Sequence, residues 1–247
     1  MEPSVGGSYA GVIGGFQMGW FEKDQTPGGA VIVDHGDRIP VTPVDHDHAI
    51  ERFTREREAV YEKIFGEAIS VSHEVVPLAP HVDVYTFRRM AKDGRAVYSL
   101  VTGGMSDLPM TLPREVNGAL RRAELIFYCA EPRDEYITTL RWLAHFSHSY
   151  KTCLGFGHTI PNGNPPAPFW GSDVLDTLLF MPPIVVRDQT LPDELDIAGD
   201  PVHFLWVVPI TTAECNLKLQ KGFEAILDLF EKHHHPHVFD PSRKSYV

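Results

Sequence analysis

The chain has 247 residues, 43% of them hydrophobic and 22% charged. That composition belongs to a folded chain with a sizeable core and excludes a disordered one. Lys and Arg number 22 against 33 Asp and Glu, a formal net charge of −11, which argues against nucleic-acid binding and suits a basic protein partner. No stretch is apolar for long enough to span a membrane, and the N-terminus lacks the basic-then-apolar order of a secretory signal. Cys129, Cys153 and Cys215 form no Cys-x-x-Cys pair, so a reducing cytoplasm is expected, and no motif asks for a cofactor or metal.

Residues 1–43 read as an N-terminal arm in which glycines alternate with Phe16, Trp20 and Phe21, either with one or two short strands, such as Ala30–Val33, or flexible throughout. The first helix is predicted from Asp45 to Phe65, since Ile50, Phe53, Val60 and Ile64 recur at helical spacing and Gly66 can stop it. Glu51, Arg52, Arg55, Glu56 and Arg57 are read as its solvated face. His46 and His48 fall at the start of that helix. Strands are predicted over Val71–Val76, His81–Phe87, Ala96–Thr102 and Ala123–Cys129, and a second helix over Asp134–Tyr150. A proline-rich loop, 161–168, precedes strands over Val174–Met181 and His203–Ile210. The last helix opens on the capping-box pattern Thr211-Thr212-Ala213-Glu214 and carries Leu219, Phe223, Ile226, Leu227 and Phe230 as its buried stripe. Gly222 falls within it, explained by a close helix–sheet contact. The expected fold is a single α+β domain over 44–247, a mixed, mainly antiparallel sheet flanked by about three helices.

The run Leu100–Met110 (LVTGGMSDLPM) is the most informative segment: an apolar strand ends, two glycines turn the chain, and Ser106 and Asp107 stand at the turn. It holds no nucleophile elbow, Walker loop or metal-ligand spacing. Ser106 and Asp107 are read as the polar lip of a partner-binding groove, or as an Asx-type turn that bonds its own backbone. Tyr98, on the strand entering the turn, is read as a flank of that groove or as a half-buried sheet tyrosine. His158, between Gly155, Gly157 and the proline loop, and Trp170, after that loop, complete the candidate partner-binding set. His81 and Asp83 alternate on one strand face with Tyr85, as an acid–base pair or a structural one. His233, His234, His235 and His237 read as a solvated tail, and His145 and His148 share a face of the second helix.

Several blocks in order carry a family resemblance: Leu100–Met110, Arg122–Tyr128 (RAELIFY), Gly155–Gly163 (GFGHTIPNG), Leu178–Pro183 (LLFMPP), Leu217–Phe230 (LKLQKGFEAILDLF) and the closing Asp240-Pro241-Ser242-Arg243. From about Ala49 onward the chain resembles the Suppressor of fused domain, closest to its single-domain bacterial members. The resemblance implies a non-enzymatic protein-binding module. The animal member holds Gli-type transcription factors through an extended peptide strand between two domains, and bacterial members resemble immunity proteins that neutralise a cognate toxin. The arm and the lack of a second domain depart from the animal pattern. Two other readings stand beside this one. One is a metal-dependent hydrolase using His81, Asp83, Asp107 and His158; the other is a scaffold subunit whose arm swaps between protomers.

Overall fold

Along Arg122–Cys129 every side chain is buried, yet the residues still alternate. Ala123, Leu125, Phe127 and Cys129 enter one apolar cluster, whereas Ile126 and Tyr128 enter another. The central strands are therefore covered on both faces, which is why they read as unbroken apolar runs. The computed structural model describes residues 46–247 except 77, 114, 115, 117 and 186. The predicted arm 1–43, its strand at Ala30–Val33 and the side chains of His46 and His48 lie outside the described residues.

The strands are β1 (Ser70–Ser72), β2 (Asp83–Met90), β3 (Ala96–Gly103), β4 (Arg122–Cys129), β5 (Thr159–Pro161), β6 (Thr177–Met181), β7 (Asp196–Ile197) and β8 (Asp200–Ile210). They form one sheet in the order β1-β2-β3-β4-β8-β6-β5, with β7 hairpinned onto β8. Strands β4 and β8 run parallel, Arg122 opposite Val202 and Ile126 opposite Trp206. Every other pairing among the described residues is antiparallel. The fold is the α+β domain with a mixed, mainly antiparallel sheet that the sequence predicts.

Helix α1 (His46–Phe65) and the helices α3 (Leu191–Glu194), α4 (Thr212–Lys221) and α5 (Glu224–Lys232) supply the core on one face; α2 (Asp134–Ser149) supplies it on the other. Five α-helices among the described residues replace the expected three, partly because the last predicted helix is two. Gly222 ends α4 with φ +89° and ψ 171°, a conformation essentially reserved for glycine. A Cβ there would meet nothing within 4 Å, so backbone freedom, and not a close helix–sheet contact, explains the residue. The break also takes Leu219 off the buried stripe, leaving it 43% exposed, while Ile226 and Phe230 remain buried. Thr211 and Glu214 do form the reciprocal capping box.

Two predicted strands are shorter than expected. Strand β1 ends at Ser72 because the next residues bond β2 through side chains: the Glu74 N–H donates to Asp83 Oδ1, and the Val82 N–H donates to Glu74 Oε2. Strand β6 starts at Thr177 because the Ser172 hydroxyl oxygen accepts from the N–H groups of Val174 and Leu175, holding them in a turn.

Candidate functional site

The double-glycine turn is built around a carboxylate on the neighbouring strand. Glu124 is fully buried on β4, on the α1 face of the sheet. Its Oε1 accepts from the Gly104 N–H (2.9 Å), the Ser106 N–H (3.0 Å) and the Ser106 hydroxyl (2.6 Å). Its Oε2 accepts from the Thr102 hydroxyl (2.6 Å), whose oxygen in turn accepts from the Leu125 N–H. The turn thus wraps its donors around an anion supplied from outside it. Gly104 adopts φ +117°, and a Cβ at this position would lie 1.9 Å from the His81 carbonyl oxygen. The second glycine is needed both for its backbone conformation and for the closeness of the chain beside it.

A second layer of charge closes over the first. Arg57 Nη1 donates to Asp107 Oδ1 at 2.6 Å and stands 3.9 Å from Glu124. Burial alone would lower the Arg57 pKa; the Asp107 and Glu124 carboxylates outweigh it and raise the value. Burial pushes Asp107 above the usual carboxylate range, against the pull of Arg57. Arg122 donates to the Ser106 and Asp107 carbonyls and, through Nε, to Asp200. Arg121 grips the same Asp200 with two bonds. The Tyr61 hydroxyl donates to the Thr102 carbonyl, and His148 Nε2 lies 3.1 Å from the Met105 carbonyl.

This geometry corrects several expectations. Ser106 has no exposed surface and Asp107 is 9% exposed, so neither is an open lip; their polar atoms serve the interior. Arg57 is buried, not solvated, because it falls four residues from both Phe53 and Tyr61 and so shares the helix stripe that packs on the sheet. Trp170 is a core residue, 9% exposed and ringed by Phe127, Tyr136, Phe169 and Phe239 with centroids 4.9–5.5 Å away. Tyr98 is the half-buried sheet tyrosine of its second reading, near the start of β3, opposite Arg88 and Cys129. His158 is half-buried beside Gly155, and burial, with Lys218 adding, lowers its pKa to about 4.

A further polar group sits at the open end of β2. Asp83 lies between His73 Nδ1 (2.9 Å) and His81 Nε2 (3.1 Å), and Glu74 lies 2.7 Å from His145 Nε2 on α2. Arg141 donates to the Val82 and Ser72 carbonyls, fastening α2 to the same edge. The four residues of the hydrolase reading therefore occupy three settings: His81 with Asp83, Asp107 against Arg57, and His158 beside Lys218. Among the described residues no group of three or more His, Cys, Asp or Glu is placed to hold a metal ion. The histidine tail is partly packed: His235 stacks on Phe230 at 3.9 Å and His233 on Tyr246 at 4.5 Å. Arg243 grips Glu214 with both terminal guanidinium nitrogens, Nη1 and Nη2, tying the segment after α5 to the capping box.

Sequence reasoning missed Glu124, Arg57 and Arg122 as parts of one network. A signal was present, Glu124 inside the otherwise apolar run Ala123–Tyr128, but its partners lie in other elements. Beside the network, α1 and the β1–β2 edge enclose an open pocket of about 300 Å³ lined by Glu58, Glu62, Glu67, Tyr61, Tyr85 and Phe87 among others.

The family model described as Suppressor of fused protein (SUFU) matches residues 79–244. No curated protein matches the chain. Among solved structures, a SUFU homolog from Neisseria gonorrhoeae FA 1090 aligns with a TM-score of 0.61 at 18% identity, over 80% of this chain and 98% of its own. A chain of the Sufu–Fu complex gives 0.54 at 13% identity, over 80% and 92% respectively. Drosophila Suppressor of Fused gives 0.55 at 14% identity, over 85% of this chain and 53% of the fly protein. At these identities the structures share a fold, and the family match spans more than half of the sequence, including the turn, Glu124 and Arg243. On these grounds the chain belongs to the Suppressor of fused family.

Proposed function

We propose that this chain is a non-enzymatic, cytoplasmic protein-binding module, and that its specific task is that of an immunity protein neutralising a cognate toxin. The observation that carries the general reading is the family itself, one of whose solved structures is a complex between Sufu and Fu. Support for a basic partner comes from the net charge of −11, which speeds capture of an oppositely charged protein. Tyr98 and His158 are the members of the candidate set that keep the most accessible area, whereas Ser106, Asp107 and Trp170 are buried.

The test is affinity capture from the native organism, followed by reconstitution of the complex from purified components and calorimetry. A one-to-one complex with a single protein is expected, with an association rate that falls as salt is raised. Co-expression of this chain should rescue growth if that partner is toxic. Failure to reconstitute any captured partner refutes the binding reading; a partner harmless to growth refutes the immunity reading alone.

A further inference from the structure

The two edges of the sheet are finished differently. At β5, α4 and the residue after it close over the strand: Cys215 Sγ lies 3.7 Å from the Thr159 hydroxyl, and a Cβ on Gly157 would stand 3.5 Å from the Phe223 ring. At the opposite end of the strand order, β1 is three residues long, pairs with β2 alone, and none of its residues is buried. Four of the ten exposed large apolar side chains among the described residues fall within 69–78, around it: Ile69, Val75 at 93% exposure, Val76 and Leu78. We infer that Ala30–Val33 of the same chain adds to the free side of β1 as a further strand and covers this edge.

The edge is anchored, so its apolar side chains are presented in place. The Glu74 N–H donates to Asp83 Oδ1, the Val82 N–H to Glu74 Oε2, and Arg141 to the Ser72 and Val82 carbonyls, which ties both ends of 73–82 to β2 and α2. A short sheet edge flanked by apolar surface is a template for another strand. The chain supplies one: Val31-Ile32-Val33 is the only run of three β-branched residues among positions 1–45, with Gly28-Gly29 before it and Asp34-His35-Gly36 after. Its reach is sufficient. Helix α1 begins eleven residues before Arg57, a rise of ~16 Å. Arg57 stands beside Gly103, which pairs with Asp83, and the free side of β1 is three strand spacings, about 14 Å, from that glycine. The twelve residues 34–45 span up to ~40 Å when extended, more than both steps laid end to end. On so short a tether the segment is held at an effective concentration on the order of millimolar, which a second copy in dilute solution does not match. Added there, Val31 and Val33 fall on one face of the sheet and Ile32 on the other. This cover is intramolecular and stands apart from the protein-binding reading above.

The test uses the full chain, labelled with ¹³C and ¹⁵N. Nuclear Overhauser effects between Hα protons of Ala30–Val33 and Ser70–Ser72 are expected, in a sample whose mass in solution is that of one chain. Isotope filtering of a mixture of labelled and unlabelled chain separates contacts within a chain from contacts between chains. Adjacent N–H groups point to opposite sides of a strand, so V31P/I32P removes the donor facing β1, whichever of the two it is. The double variant should abolish those contacts and speed exchange of the slowest amide among Ser70–Ser72 about tenfold or more, while the amides of β4 and β8 keep their protection. Absence of contacts between 30–33 and β1, contacts found only between two chains, or exchange at β1 unchanged in V31P/I32P each overturns the proposal.

Discussion

Removing the carboxylate of Glu124 tests whether the double-glycine turn is an anion-centred structure. In Glu124→Ala, the Gly104 and Ser106 N–H groups and the Ser106 and Thr102 hydroxyls lose their acceptor inside a buried site. At about 1–3 kcal/mol for each buried group left unsatisfied, the loss is at least about 4 kcal/mol. That is a large part of the ~5–15 kcal/mol that holds a typical domain together. Glu124→Gln keeps one carbonyl oxygen for the three donors now on Oε1, each weakened from a charge-assisted to a neutral bond. The neutral side chain recovers part of the cost of burying a charge, so the expected loss is about 2 kcal/mol. Urea unfolding followed by tryptophan fluorescence and circular dichroism reads both values. Corresponding drops in Tm are about 8 °C or more for alanine and about 4–8 °C for glutamine. A cost below about 1 kcal/mol for alanine, or glutamine as harmful as alanine, refutes the idea that hydrogen bonding to this acceptor organises the turn.

Gly104→Ala should cost more than about 3 kcal/mol, since its Cβ would collide with the His81 backbone, whereas Gly222→Ala, in open space but with φ +89°, should cost about 1–3 kcal/mol; equal values in denaturant melts would contradict this ordering. Arg57→Met alone strands the buried Asp107 carboxylate and should cost about 3–5 kcal/mol, with much of that recovered in R57M/D107N. A double-mutant cycle showing simple additivity would show that the pair is not coupled. Burial, against the pull of the Met105 carbonyl, lowers the His148 pKa to about 4 from an ordinary value near 6.5. The unfolded chain therefore takes up this proton first, and stability falls as pH drops from about 6.5 to 4, by up to about 3 kcal/mol. His148→Gln should flatten that part of the stability–pH curve, and an unchanged slope would remove His148 as its source.

How much of this was legible from the sequence depended on whether the cause was local. The capping box at Thr211–Glu214 uses residues three apart, so the pattern sufficed. Alternation and apolar runs located the main strands, because burial on both faces leaves a direct imprint on residue type. Arg57 was misplaced because helix position was weighed less than charge: its four-residue spacing to Phe53 and Tyr61 already put it on the buried stripe. Ser106 and Asp107 stand out in the sequence, yet their partners are Glu124, 18 positions downstream of Ser106 on another strand, and Arg57, 50 positions upstream of Asp107. Gly222 shows the converse: a glycine that looked like a packing device is a backbone device, and only φ distinguishes the two.

The parallel β4–β8 pair has a consequence for how the chain can be divided. Its partners, Arg122 with Val202 through Ile126 with Trp206, are 80 positions apart, while β1–β4 and β5–β8 each pair mainly with strands of their own half. Closing that pair is a slow, entropy-limited step, and the Arg121–Asp200 and Arg122–Asp200 bonds sit where it begins. The segment between α2 and β5, residues 150–158, is then a natural cut site. Two polypeptides severed there carry matching apolar strand edges and opposite charges at one end of the seam, the ingredients of halves that recombine into one sheet.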